Sequence, residues 1–441
     1  MTILSVSTSD LRKLSEAIKI KEDLLHLVWK LKKFDFNHLK TTEGQDITIN
    51  KFGFHNHNAG PDFLNGEVTI GDTKWVGHIE MHINASEWKD HKHHLDKAYN
   101  NVILHVVYQN DAIIYNENGQ TIPTIILQDR ISDHTLANYE NLSQNLDWIP
   151  CAKSMHKVDS GKFQMFLEKV LIERLEDKCL RVMDILDHNM NDWEDTLYKL
   201  LSKYLGLKVN ASAFEQLAHV TPYKILKKVS SNLNRTEALL LGQSGLLSES
   251  NDPYVSQLYM EYVHLQTKYD LIPMTGVEWK FARLRPANFP TIRMAQLAMM
   301  YHYNPQLFSK IMAAESIADI RKLLDVKASE YWDTHYIPGK ESEQKIKKIG
   351  LLTQDLIIIN VIIPLLFSYG IRLSDARYKE NAIDILRALK SENNAIIRKW
   401  KSIGVESESA YESQALLQLK NQYCNQFKCL SCHAGQEILF S

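Results

Sequence analysis

The chain has 441 residues, 44% apolar and 24% charged, with a formal net charge of −2. That balance describes a protein able to bury a sizeable core. It excludes a bulk polyanion binder, so any nucleic-acid contact needs a local basic groove. Five Cys over this length exclude a disulfide framework.

Length predicts two or three domains, or one with a large helical extension. The first residues lack the basic start, apolar core and cleavage site of a secretory leader. The expected location is the cytoplasm, with reduced thiols. Residues 9–33 read as a helix capped by Ser9 or Asp10. Leu24, Leu25, Val28, Trp29 and Leu31 are its apolar positions, and Glu22 and Asp23 lie on it. Strands are predicted at Ile47–Phe54, Phe63–Ile70, Trp75–Ile83 and Val102–Tyr108. A short helical segment falls near Asp96–Tyr99, and a hairpin is expected around Asn118-Gly119.

From about Ser132 the periodicity is helical. Helices are predicted at Lys162–Met190, Trp193–Leu205, Pro253–Tyr269, Thr291–Tyr303, Glu341–Tyr369, Glu380–Ile403 and Ser407–Tyr423. The most apolar run, Leu356–Tyr369, contains Asn360 and Pro364 and is too short to span a bilayer, which predicts a buried helix and no membrane contact.

Eight of the 18 His lie between residues 55 and 105. The stretch Gly60–His105 is therefore expected to hold a catalytic or metal-binding centre. On the strand Val76–Ile83, the two-residue period puts His78, Glu80 and His82 on one face and Ile79, Met81 and Ile83 on the other. A hairpin to the preceding strand brings Asp62 beside Glu80. Paired carboxylates at a sheet edge can hold Mg²⁺ or Mn²⁺, and added imidazoles shift preference toward Mn²⁺, Fe²⁺ or Zn²⁺. His91 and His94 can bind metal, contact phosphate or cap a loop. His93 is expected to face solvent. His105 reads either as a core histidine or as a catalytic one.

Asp62, followed by Glu80-x-His82 on an apolar strand, resembles the core of the PD-(D/E)xK nuclease superfamily. The resemblance implies a restriction-endonuclease-like order of helix, three strands, helix, strand. It implies Asp62 and Glu80 as metal ligands, with Glu22, or less favourably Asp23, as a third acid. His82 stands where that superfamily usually has a Lys. Over nearly its full length the chain also resembles an uncharacterised bacterial family known only as a domain of unknown function. That likeness rests on NAGPDF (58–63), GHIEMH (77–82), NVILHVVY (101–108), RLRPANFPTIR (283–293) and the terminal Cys cluster.

Cys424-x4-Cys429-x2-Cys432 is a metal-binding pattern lacking one ligand. Cys151, in a rigid Ile-Pro-Cys turn, is favoured over Cys179 for the fourth. The spacing suits Zn²⁺ or an iron–sulfur cluster. Residues 278–293 interleave Lys280, Arg283, Arg285 and Arg293 with Trp279, Phe281 and Phe289. They read either as a phosphate- and base-binding segment or as a buried loop whose arginines pair with Glu261 or Glu237.

The resulting expectation is an α+β protein. Residues 1–131 form a restriction-endonuclease-like α/β core, and residues 132–441 a mainly helical domain closed by the cysteines. The leading function is a divalent-metal-dependent nuclease. Asp62 and Glu80 hold Mg²⁺ or Mn²⁺, Glu22 assists, His82 positions or deprotonates water, and Arg283 and Arg285 contact the nucleic-acid backbone. The alternatives are a non-catalytic nucleic-acid or protein interaction module with a structural metal, and a small-molecule metallohydrolase using His78, Glu80, His82 and His91.

Overall fold

A computed structural model describes residues 20–145, 147–275, 279–282 and 284–441. It divides into two compact units, Met1–Phe166 with Leu419–Ser441, and Leu167–Gln418.

The first unit begins, among the described residues, with helix α1 (Glu22–Lys30), which buries Leu24, Leu25, Leu27, Val28 and Trp29. Acids in its first turn and Lys30 in its last suit the helix dipole. The cap expected at Ser9 or Asp10 lies outside the described residues. The helix stops short of residue 33 because Lys32 takes a left-handed backbone, φ 54°. Trp29 anchors it: its indole N–H donates to the Phe52 carbonyl at 2.9 Å, and its ring stacks on Phe34.

The strands are β1 (Ile47–Lys51), β2 (Phe54–His55), β3 (Phe63–Ile70), β4 (Thr73–Asn84), β5 (Val102–Gln109) and β6 (Thr124–Ile126). They form one curled mixed sheet in the order β1-β3-β4-β5-β6, with β2 also on β3. The β1–β3, β2–β3 and β3–β4 pairs are antiparallel, while β4–β5 and β5–β6 are parallel. Gly71, at φ 57°, makes the tight β3–β4 turn. Seven of the eight residues of β5 are buried, the pattern of a parallel strand covered on both faces. The hairpin expected at Asn118-Gly119 is reduced to one bridge, Tyr115 to Thr121; the following segment pairs with β5 as β6.

Two expectations for β4 are corrected. Ile79, Glu80, Met81 and His82 are all buried, so neither face is open. The β4–β5 register also shifts between His78 and Ile79, and His78 Nδ1 accepts the Asn65 N–H at 3.3 Å. His78 therefore does not join Glu80 and His82. Helices α2 (Glu87–Asp90), α3 (Asp133–Gln144) and α4 (Ser160–His188) follow, α4 running on into the second unit.

The second unit is mostly helical. Trp193–Leu205 and Pro253–Tyr269 match the periodicity, and Pro290–Tyr303 starts one residue early. Residues expected to open one long helix at Glu341 instead place Lys340–Glu341 in a two-residue strand, and the helix starts at Leu351. From there it is continuous to Leu373 through a π turn at Ile358–Ile362. At 23 residues it is long and apolar enough to cross a membrane, which corrects the length read from the sequence; two-thirds of its apolar window is buried inside the protein. Glu380–Ile403 is two helices, Ala376–Ala388 and Ala395–Ser402.

Candidate metal centre

The register next to the Phe63–Ile79 pair sets Asp62 against Glu80. Backbone amides fix both: the Asp62 N–H donates to Glu80 Oε2 at 3.1 Å, and the Met81 N–H donates to Asp62 Oδ2 at 2.9 Å. From α1, Glu22 and His26 meet Asp62, and one ligand-capable atom from each of the three lies within 4.8 Å of the others. His26 Nε2 is 3.3 Å from Asp62 Oδ2. The spacing Glu22–His26 is i,i+4, which puts both on one helical face.

The electrostatics are those of crowded acids. Burial pushes the Glu22 carboxyl up to about 7, with Asp62 adding to the shift. Burial and the Asp62 charge likewise raise Glu80. Burial alone would lower His26, but its contact with Asp62 outweighs this and raises it. Carboxyls held this close in a partly buried site favour either a proton or a bound cation.

On the other side of Glu80 stands an imidazole cluster. Glu80 Oε1 is 3.3 Å from His93 Nε2 and 3.8 Å from His82 Nε2. His82 Nε2 is 3.2 Å from His91 Nδ1, and His82 Nδ1 is 2.8 Å from His105 Nε2. Donor atoms of His82, His91 and His93 all fall within 4.8 Å of one another; His82 is buried, His93 half-buried and His91 exposed. Burial lowers His82 to about 2 and His105 to about 3, with neighbouring imidazoles adding to it. Both rings are therefore neutral.

A local backbone feature explains how His93 arrives there, contrary to the solvent-facing reading. After α2, Lys92 adopts φ 62°, and this left-handed residue turns the chain back toward β4. Tyr99 stacks on His93 with 3.8 Å between ring centroids, and buried Trp88 packs edge-on against His93, Tyr99 and His105. The Trp88 indole N–H is satisfied by the Tyr115 carbonyl at 3.1 Å. His94 is not among these donors, and its buried Nδ1 lacks a hydrogen-bond partner. Sequence reasoning missed His26, His93 and Tyr99. The i,i+4 spacing from Glu22 was the available signal for His26.

Cys151, Cys424, Cys429 and Cys432 all belong to the first unit, and all are free thiols. Cys151 precedes the 3₁₀ turn Ala152–Lys157 and Cys432 precedes the helix His433–Leu439; these two elements pack on each other. Burial raises the Cys151 thiol to about 12, with Cys432 and Cys429 adding, and raises Cys424 with Cys432, Cys151 and Cys429 adding. Cys179 lies in the second unit against the Pro364 carbonyl. Among the described residues, no three of the four clustered sulfurs lie within 4.8 Å of one another.

The basic aromatic segment belongs to the second unit. Arg283 is outside the described residues. Trp279 donates to the Ser244 carbonyl and packs on Phe214, while Phe281 packs on Phe289. Arg293 is buried and hydrogen-bonds Gln296, Asn288 and Thr353. The expected acid partners are taken otherwise, Glu261 by Arg235 and Glu237 by Tyr254 and Trp332. Lys280 and Arg285 are exposed.

Fold and site define an α+β protein whose curled sheet carries a carboxylate–imidazole centre. The chain belongs to the family described as Protein of unknown function (DUF2851), whose model matches residues 22–395. That span includes every carboxylate and imidazole above and stops before Cys424. No curated protein and no solved structure matches.

Proposed function

We propose that the protein is a divalent-metal-dependent hydrolase of phosphodiesters, acting on DNA or RNA. The observation that carries this reading is the meeting of three acids at one end of a mixed sheet: Glu22 gathers with His26 and Asp62, and the Asp62 N–H donates to Glu80. The strand order, an antiparallel neighbour for β4 on one side and a parallel one on the other, supports it. Glu22, Asp62 and Glu80 fit Mg²⁺ or Mn²⁺, which favour oxygen ligands. Such an ion supplies positive charge to the phosphodiester and lowers the pKa of bound water.

The chain's own groups orient that chemistry. The Met81 N–H aims Asp62, the Asp62 N–H aims Glu80, and His26 Nε2 stands 3.3 Å from the same Asp62 oxygen that accepts from Met81. His82 has both ring nitrogens engaged inside the protein, so we assign it to holding the site rather than to shuttling a proton. Arg285 and Lys280 are the exposed cations read as contacts to the nucleic-acid backbone. We read the four cysteines as a structural metal site. Four thiolates suit either an iron–sulfur cluster or one tetrahedral Zn²⁺.

The imidazole cluster favours a second reading, a small-molecule metallohydrolase. One assay separates them. Full-length protein is incubated with single- and double-stranded DNA and with RNA, in Mg²⁺ or Mn²⁺. The expected result is cleavage that Glu80→Gln and Asp62→Asn abolish while nucleic-acid binding persists. No cleavage and no binding sinks the nuclease reading. Binding without cleavage, unchanged by Glu80→Gln, marks an interaction module.

A further inference from the structure

We propose that Glu80, His82, His91 and His93 form a second metal position, selective for a zinc-class transition ion and bridged by the Glu80 carboxylate to the oxygen-lined position at Asp62 and Glu22. It rests on the preceding reading only through the shared Glu80.

The argument is geometric. A tetrahedral ion with ligand bonds near 2.0–2.1 Å sets its donors about 3.3 Å apart. Three donor pairs lie near that edge: His82 Nε2 to His91 Nδ1 at 3.2 Å, His93 Nε2 to Glu80 Oε1 at 3.3 Å, and His82 Nε2 to Glu80 Oε1 at 3.8 Å. The four donors come from β4 and from the crossover that follows it, so a single stretch of chain builds the set.

The support around the donors is also that of a ligand set. His105 Nε2 holds His82 Nδ1 at 2.8 Å from the sheet side, leaving Nε2 aimed at the cluster. An outer partner of this kind fixes ring orientation in metal-binding histidines. Tyr99 and Trp88 clamp His93 from two directions. Exposed His91 forms the open rim.

The donor chemistry selects the ion. Three imidazoles and one carboxylate suit Zn²⁺, Fe²⁺ or Co²⁺ and discriminate against Mg²⁺. The two carboxylate oxygens of Glu80 face opposite ways, Oε2 to the Asp62 N–H and Oε1 to the imidazoles. A carboxylate with its two oxygens turned toward different ligand groups could bridge two ions.

The test is Co²⁺ titration of metal-depleted, full-length protein, followed by visible absorption and repeated with excess Mg²⁺. The expected result is intense d–d absorption of a four-coordinate ion, resistant to Mg²⁺. Affinity should fall at least about 10-fold in His91→Ala and in His93→Ala and hold within a few-fold in Asp62→Asn. His91 and His93 are not core residues, and circular dichroism verifies their folding. Co²⁺ binding untouched by both His variants overturns the proposal, as does folded wild type that binds none. Cleavage activity is read separately. A silent nuclease with intact Co²⁺ binding removes the phosphodiesterase reading and leaves this site standing.

Discussion

His105 Nε2 lies 2.8 Å from His82 Nδ1, and both rings are buried in the sheet. A neutral imidazole has one N–H and one lone pair, so this contact leaves His82 Nε2 as the nitrogen that faces Glu80, His91 and His93. Loss of His105 frees that ring to rotate. His105→Ala is expected to weaken Co²⁺ or Zn²⁺ binding about 10–100-fold. His105→Gln, which keeps an acceptor, should restore part of it. Equal affinity in His105→Ala and wild type, by calorimetry on folded protein, contradicts this role.

The carboxylates predict a pH signature. Glu22 is raised from an ordinary 4.5 to about 7 in the folded protein. A raised acid stabilises the fold fully below its unfolded value, and the contribution is lost as pH rises through the folded one. Wild type without metal should therefore lose melting temperature relative to Glu22→Gln between about pH 5 and pH 8. Saturating Mg²⁺ or Mn²⁺ should shrink the difference, because a cation favours the ionised acid. A wild-type minus variant difference flat across that window contradicts the crowding.

Trp88 supports the centre mechanically. It is fully buried and contacts His93, His105 and Tyr99 at once. Trp88→Ala should lower unfolding stability by about 3–5 kcal/mol. Urea denaturation checks the first effect, and metal titration of the folded fraction should show weakened binding at the imidazoles.

Gly435 lies in the helix after Cys432. A Cβ there would meet the Cys429 carbonyl oxygen at 2.2 Å, a backbone atom that cannot yield without moving Cys429. Gly435→Ala should lower the iron or zinc content proposed for the cysteines, measured by elemental analysis of anaerobically purified protein, while Cys179→Ser leaves it unchanged. Full metal content in Gly435→Ala contradicts that packing.

Arg285 and Arg293 separate surface from core. Arg285→Ala should weaken nucleic-acid binding and reduce the salt slope by about 1 without loss of stability. Arg293→Ala should instead destabilise, because it strips three hydrogen-bond partners of a buried guanidinium. Equal binding in Arg285→Ala removes it as a contact.

Much of the sheet was legible. Alternation and turn residues located β3, β4 and β5, and hairpin geometry brought Asp62 to Glu80. The period of two could not show that β4 is buried on both faces, nor that a register shift detaches His78, because bulges leave no clear mark in the residues. His93 was misread because its position depends on one left-handed residue, Lys92, at a place where glycine would have been the usual signal. His26 was missed because helix α1 was read for its acids and apolar stripe. Glu341 was placed in a helix because charged residues there continue the composition of their neighbours, while the irregular stretch before Leu351 carries only Gly350 as punctuation. The cysteine reading rests on local features, a proline-fixed turn and a spaced triplet, and Cys151 falls in the same unit as Cys424, Cys429 and Cys432 while Cys179 does not.

The first unit is interrupted. Its sheet comes from residues before Phe166, whereas three of its four clustered cysteines lie beyond Leu419. A ribosome emits the sheet first, then the whole helical insertion, and only then Cys424, Cys429 and Cys432. The sheet can collapse early around Trp29 and Trp88, but the sulfur quartet is assembled last. If the proposed metal binds those cysteines, its presence would date a molecule: only a chain translated through residue 432 could carry it.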